Sequence, residues 1–184
     1  ASNVTVSSSR FSSNQWHSVM LDGSADVRLS HCSITNSSGV NGAAVSATDC
    51  TELSFVESVF AHNTATGLGG ALYLQNIQGI RIQSCDFVAN IAEQSGGGVH
   101  FESCYAVDIS HNSFDRNVVL SHSGGGLFVS ASTDIGMHAN AIANNVAAQG
   151  GGGGLYWRAS SGMVEPAGQE TNVFSGNAAL YGDD

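Results

Sequence analysis

A chain of 184 residues with 42% apolar and 11% charged content carries enough hydrophobicity for a core, and so is not of the disordered class. Its net charge of −10 rests on only five basic residues, which argues against nucleic acid or an anionic membrane as partner, since both demand a Lys/Arg footprint. No stretch approaches the roughly 18 apolar residues of a membrane span, and no signal-peptide pattern is present.

In chain order, Val4-Thr5-Val6 offers a first short strand, and Phe11-Ser-Ser-Asn14 opens a repeat. Ile34 opens the next, and Phe60, Phe87, Phe114 and Ile142 open four more, with starts 27, 27 and 28 residues apart. Phe174-Ser-Gly-Asn177 opens a last copy after a longer interval of 32 residues. The extra length falls around Ser160 to Gln169, with the only proline at Pro166, and reads as a protruding loop. Self-similarity at a fixed period of this size indicates stacked coils.

Each full copy has a large apolar residue, an Asn three residues later, a Gly-rich pinch and an alternating strand. After the pinch come Val45-x-Ala47, Leu72-x-Leu74, Val99-x-Phe101, Leu127-x-Val129 and Leu155-x-Trp157. Before the next opening residue come Val27-x-Leu29, Leu53-x-Phe55, Ile80-x-Ile82, Val107-x-Ile109 and Ile135-x-Met137. Period-2 alternation marks strands with one buried face. With the opening Phe or Ile as a third inward face, the pattern predicts an all-β, right-handed parallel β-helix of about seven coils, three short strands per coil. At about 4.8 Å per coil the rod would be about 33 Å long. One β-helix domain spans residues 1–184. The start at Ala1 and the end in mid-pattern at Asp184 lead us to expect a segment of a longer protein.

The pinch and the Asn have local physical causes. Glycines at Gly69-Gly70, Gly96 to Gly98, Gly124 to Gly126 and Gly150 to Gly154 let backbones turn sharply and approach closely. Asn63, Asn90, Asn117, Asn145 and Asn177 are expected to stack as a structural ladder at another corner, each amide bonding its own turn and the next coil.

FxxN followed by GGA or GGG and then Leu or Val resembles the repeat of the chlamydial polymorphic outer membrane proteins. Related repeats occur in β-helical surface proteins of algae and other protists. The likeness runs from about Phe11 to Gly182 and includes the closing Asn177-Ala178-Ala179-Leu180-Tyr181-Gly182-Asp183. The first copy departs from it by lacking the pinch, and the sixth reads Ile-Ala-Asn-Asn. The resemblance implies a surface-exposed passenger concerned with adhesion or assembly.

Few residues suggest chemistry. Cys32 and Cys85 share one repeat position, Cys50 and Cys104 another, and equivalent cysteines two coils apart would lie about 9.6 Å from each other, too far for a disulfide. The similar separations of Cys32–Cys50 and Cys85–Cys104 would suit two like-built bridges, but buried small side chains filling corners are the favoured reading. No CxxC metal pattern occurs. Asp26 and Glu52 occupy one position in adjacent coils, where two carboxylates make a thin cation site on a solvated surface. Asp183-Asp184 is the only adjacent acidic pair, and His31 and His111 align three coils apart. No metal or cofactor is expected. Between the inward positions of the post-pinch strand runs an outward column, Ser46, Tyr73, His100, Phe128 and Tyr156. Tyr73, His100, Phe128 and Tyr156 form an aromatic stripe that either stabilises the sheet or offers a contact face to sugar rings or a partner protein.

These features lead us to expect a non-enzymatic extracellular or cell-surface module, structural or adhesive, that contacts proteins or glycans. The open coil ends would add self-association or filament assembly through strand addition. A carbohydrate-active β-helix enzyme with catalytic residues partly outside the segment is the alternative. The N-x-[ST] sequons are Asn3-Val4-Thr5 and Asn36-Ser37-Ser38. If the protein is secreted by a eukaryote, its intact mass should fall on glycosidase treatment. An unchanged mass from such a source would argue against glycosylation at both sites.

Overall fold

The computed structural model describes residues 3–161 and 170–181. The described chain is all strand and turn, wound so that each strand pairs in parallel with its counterpart one coil on. One middle coil shows the unit: strands Gln78–Gln83, Asp86–Val88, Ile91–Ala92 and Val99–Glu102 follow one another around the axis. Each belongs to a different sheet. The first, third and fourth sheets hold six strands and the second holds seven.

The fold is thus the expected parallel β-helix, with two corrections. It completes roughly six coils rather than seven, because only the second sheet takes a seventh strand, Val173–Ser175. A coil has four strands rather than three. The unforeseen one is the pair following the Asn corner: Thr64–Ala65, Ile91–Ala92, Val118–Val119. A two-residue strand offers one inward side chain, too little for alternation to register. Inward residues of that sheet, Ala92, Val119 and, from the next strand Val146–Gly151, Ala147, make a small apolar cluster of their own beside the main core. The loop expected around Ser160 to Gln169 falls mostly outside the described residues.

The main core is a set of columns. Phe60, Phe87 and Phe114 lie fully buried, with ring centroids 5.0 and 4.7 Å apart and planes within 9° and 4° of parallel. Register forces this stack, since Phe87 pairs with Phe60 on one side and Phe114 on the other. Phe55 meets Phe60 edge-on at 6.0 Å.

Corners follow one rule. A residue in the left-handed region precedes a buried small or amide side chain: Ser84 (φ 53°) before Cys85, Ala89 (φ 50°) before Asn90, Ser103 (φ 55°) before Cys104. The turn carries the following side chain inward, where it can serve the neighbouring coil. Asn90 shows the full pattern. Its Oδ1 accepts from the Asn63 backbone N–H and from Asn63 Nδ2, both at 3.0 Å. Its Nδ2 donates to the Phe60 carbonyl at 2.8 Å and to Asn117 Oδ1 at 2.9 Å. Asn117, Asn145 and Asn177 continue the ladder. A second ladder, absent from the sequence reading, joins Asn112, Asn140 and Asn172 at the corner two residues before the opening Phe or Ile. Ser58 and Cys85 hold that position in earlier coils, and the mixture of residue types hides the column from a motif search.

At the remaining corner the pinch works by close approach. A Cβ at Gly97 would stand 2.3 Å from the Gly125 carbonyl oxygen of the next coil, and one at Gly70 would stand 2.0 Å from that of Gly97. Backbone cannot yield there as a flexible side chain would, so glycine is required.

Truncating the central ring of the stack, Phe87→Ala, should cost about 3–5 kcal/mol in denaturant melts, the range for deleting a buried Phe. A loss below about 1 kcal/mol would mean the stack contributes little.

Candidate functional site: a furrow on the first sheet

The first sheet comprises Val4–Ser7, Ala25–Ser30, Thr51–Val56, Gln78–Gln83, Tyr105–Ser110 and Thr133–His138. From the second strand onward, its second residue turns left-handed: Asp26 (φ 52°), Glu52 (55°), Gly79 (78°), Ala106 (55°) and Asp134 (56°). Registers resume on either side of each, as in Gln78↔Thr51 and Ile80↔Leu53, so the bulges stack in line. Bulges re-aim side chains and break the outer surface of a sheet. Here they form a shallow groove of about 640 Å³ along the rod, lined by Asp26, Arg28, Glu52, Ser54, Gly79 and Arg81 among others.

Its polar groups are ordered. Beside the bulges runs the outward column Arg28, Ser54, Arg81, Asp108, in register from coil to coil. Two of the chain's five basic residues therefore flank Asp26 and Glu52 in one groove. The Glu52 carboxylate lies over Gly79, where a Cβ would come within 2.6 Å of Oε1. Ser54 Oγ, between the two arginines, is shielded and has no hydrogen-bond partner among the described residues. Asp26 and Glu52 were foreseen as neighbours. Arg28, Ser54 and Arg81 were visible only as the unremarked middle residues of the pre-Phe strands, and their shared groove depends on the bulge.

The aromatic stripe is stacked but is not an exposed face. Tyr73 pairs with His100 (centroids 5.6 Å), His100 with Phe128 (4.7 Å, 11°) and Phe128 with Tyr156 (5.3 Å, 10°). Tyr73, His100 and Phe128 are only 6%, 4% and 9% exposed, and Tyr156 is half-buried. The pinch covers them: a Cβ at Gly96 would stand 2.9 Å from the His100 Cβ, and one at Gly124 2.9 Å from that of Phe128. In the first copy, which has no pinch, Met20 of the same column is 71% exposed. Tyr73 donates its hydroxyl to Glu102 Oε2 at 3.2 Å, and burial together with that carboxylate pushes its pKa up to about 12.

Other expected features stand apart. Cys32, Cys50, Cys85 and Cys104 are buried free thiols at corners. Burial raises Cys85 to about 12 and Cys104 to about 11, so neither is a ready nucleophile. His31 pairs with Glu57 at 2.8 Å on the surface, well away from its repeat equivalent His111. No group of three or more His, Cys, Asp or Glu among the described residues is arranged to hold a metal ion. Asn3 and Asn36 are both exposed, and Asn3 borders the furrow. Asp183-Asp184 lies outside the described residues. No helix is long and apolar enough to cross a membrane among the described residues.

Stacked parallel coils with a bulged, groove-bearing sheet define a β-solenoid. A family model for the right-handed beta helix region matches residues 1–178, and the chain belongs to that family. Among curated proteins none matches the sequence.

The ring column has a pH signature. Burial depresses His100 from 6.5 to about 4, with the Ser95 backbone partly opposing. The unfolded chain takes up this proton as pH falls below its ordinary value, whereas the folded chain resists until about 4. The stabilisation is therefore complete above pH 6.5 and is lost as pH falls toward 4, amounting to about 3 kcal/mol at ~1.4 kcal/mol per pH unit. His100→Phe keeps a flat ring without the proton site. The stability difference between wild type and variant should change by about that amount between pH 7 and pH 4. A difference independent of pH would show that His100 titrates normally.

Proposed function

We propose that this chain is a non-enzymatic binding module of the extracellular or cell-surface kind, a stiff β-helical rod that holds a glycan chain along its first-sheet furrow. The observation that carries this reading is the run of bulges in register, which makes one linear groove from structurally equivalent positions. A polysaccharide is likewise linear and repeating. The furrow offers carboxylates as acceptors and guanidinium forks as donors for sugar hydroxyls. The shielded, unpartnered Ser54 Oγ adds a group that a ligand hydroxyl would satisfy. The FxxN and Gly-pinch repeat, similar to that of the polymorphic outer membrane proteins, supports a surface setting and an adhesive role. Exposed Val173, Phe174, Leu180 and Tyr181 on the last described coil support contact with further protein there.

A second reading rests on Asp26 and Glu52. They hold equivalent positions in adjacent coils and line one groove, and retaining glycosidases act through such a carboxylate pair. In that case one carboxyl would protonate the leaving oxygen and the other would attack the anomeric carbon.

Affinity electrophoresis against a panel of neutral and acidic polysaccharides tests both. Retardation by at least one polysaccharide is expected, weakened about tenfold by Arg81→Ala and by Glu52→Gln, which is the loss of about 1.4 kcal/mol. Absence of retardation across the panel would sink the glycan reading. Release of reducing ends, abolished by Asp26→Asn and by Glu52→Gln, would replace binding with hydrolysis.

A further inference from the structure

A second cavity lies on the fourth sheet, away from the furrow. It is a half-open pocket of about 410 Å³, within the roughly 300–1,000 Å³ of small-molecule sites. His100 and Phe128 of the ring column border it, with Leu68 on the apolar side. Glu102, Ser130 and Arg158 border it on the polar side, and these three occupy one register column on successive coils.

That column sets residues of opposite charge two coil steps apart, their backbone positions about 9.6 Å from each other along the rod, with a neutral hydroxyl side chain between them. No ion pair joins Glu102 to Arg158, and Arg158 has none with any other described residue. Glu102 is held in place by the Tyr73 hydroxyl at 3.2 Å and Gln75 Nε2 at 3.1 Å, both on Oε2. Its other oxygen has no hydrogen bond among the described residues. His100 is 4% exposed, and its shielded Nδ1 makes no close hydrogen bond among the described residues, although the Ser95 backbone acts on the ring. Neutral imidazole suits such a place, since it adds no charge to the balance between Glu102 and Arg158.

From this arrangement we infer that the pocket binds a small zwitterion of the free amino acid class, its ammonium on Glu102, its carboxylate on Arg158, and its carbon chain over the edges of His100 and Phe128. Opposite charges that border one pocket, with no ion pair joining them, decide the class. A single anion would leave Glu102 unanswered, and a single cation would leave Arg158 so.

Glycine, β-alanine and γ-aminobutyrate are the probes, with propionate and propylamine as single-charge controls, followed by calorimetry and by the imidazole NMR signals of His100. At pH 7 at least one zwitterion should bind saturably with Kd below about 1 mM and shift the His100 signals, while both controls bind at least tenfold more weakly. Glu102→Gln and Arg158→Gln should each weaken binding about tenfold or more. Ser130→Leu, which fills the middle of the column without touching either charge, should abolish it. Glu52→Gln, in the first-sheet furrow, should leave it unchanged, so failure here and failure of the glycan reading are separable. The inference is overturned if no zwitterion binds up to about 10 mM, a concentration well above the ~1 mM expected. It is equally overturned if propionate binds as well as the zwitterions, or if Ser130→Leu binds as wild type does.

Discussion

Every corner of this rod must bury backbone polar groups, and the way they are satisfied fixes the rest of the structure. A coil that turns inward exposes N–H groups to a dry interior, where an unmet donor costs about 1–3 kcal/mol. Asn90 meets this need with one side chain, which accepts from the previous coil's backbone and amide and donates to a carbonyl and to the next amide. Both amide hydrogens and two acceptor positions are used. Such a side chain tolerates no slip of register, because each bond reaches a specific atom one coil away. Parallel in-register stacking, the Phe60–Phe87–Phe114 pile and the columns on the outer faces all follow from that constraint.

Left-handed residues are the local device that makes this geometry available. They are usually uncommon outside glycine, yet here they recur at three corners of nearly every coil. Coil-to-coil backbone bonds hold them in place, as Ser84 N–H to the Ser110 carbonyl at 3.1 Å and Ala89 N–H to the Asp115 carbonyl at 2.9 Å. The bulges of the first sheet use the same conformation in mid-strand, where it does nothing for the core. A turn serves the fold at a corner. In mid-strand it opens a furrow between Asp26, Arg28, Glu52 and Arg81.

Two surface devices thus grow from one scaffold. The bulges leave a long open groove on the first sheet, suited to a linear ligand. On the fourth sheet the pinch folds over a ring column, and the space beside it is compact and set between opposite charges. With a net charge of −10 and only five arginines, it is notable that three border the two sites: Arg28 and Arg81 the furrow, Arg158 the pocket. The scaffold itself needs none of them, since its columns are apolar or amide.

The repeat by itself determined the solenoid. Phe or Ile, Asn three residues on, the glycines and two alternating strands recur at a nearly constant interval, and only stacked coils bring such residues together repeatedly. The Phe pile and the first Asn ladder were legible for the same reason, because identical residues stand at identical positions. Tertiary structure decided what depends on short or mixed columns. Four of the six strands of the third sheet have two residues, too brief for a period, and the second ladder begins as Ser58 and Cys85 before it becomes Asn112, Asn140 and Asn172. The pinch, read from sequence as a turn, also closes over Tyr73, His100 and Phe128, so side chains that alternate outward are nevertheless buried. Alternation reports which face of a strand a residue is on. It does not report what a neighbouring turn lays across that face. Nor does it reveal a bulge, because a left-handed residue at Asp26 or Glu52 leaves the apolar pattern intact while reshaping the surface that a ligand would meet.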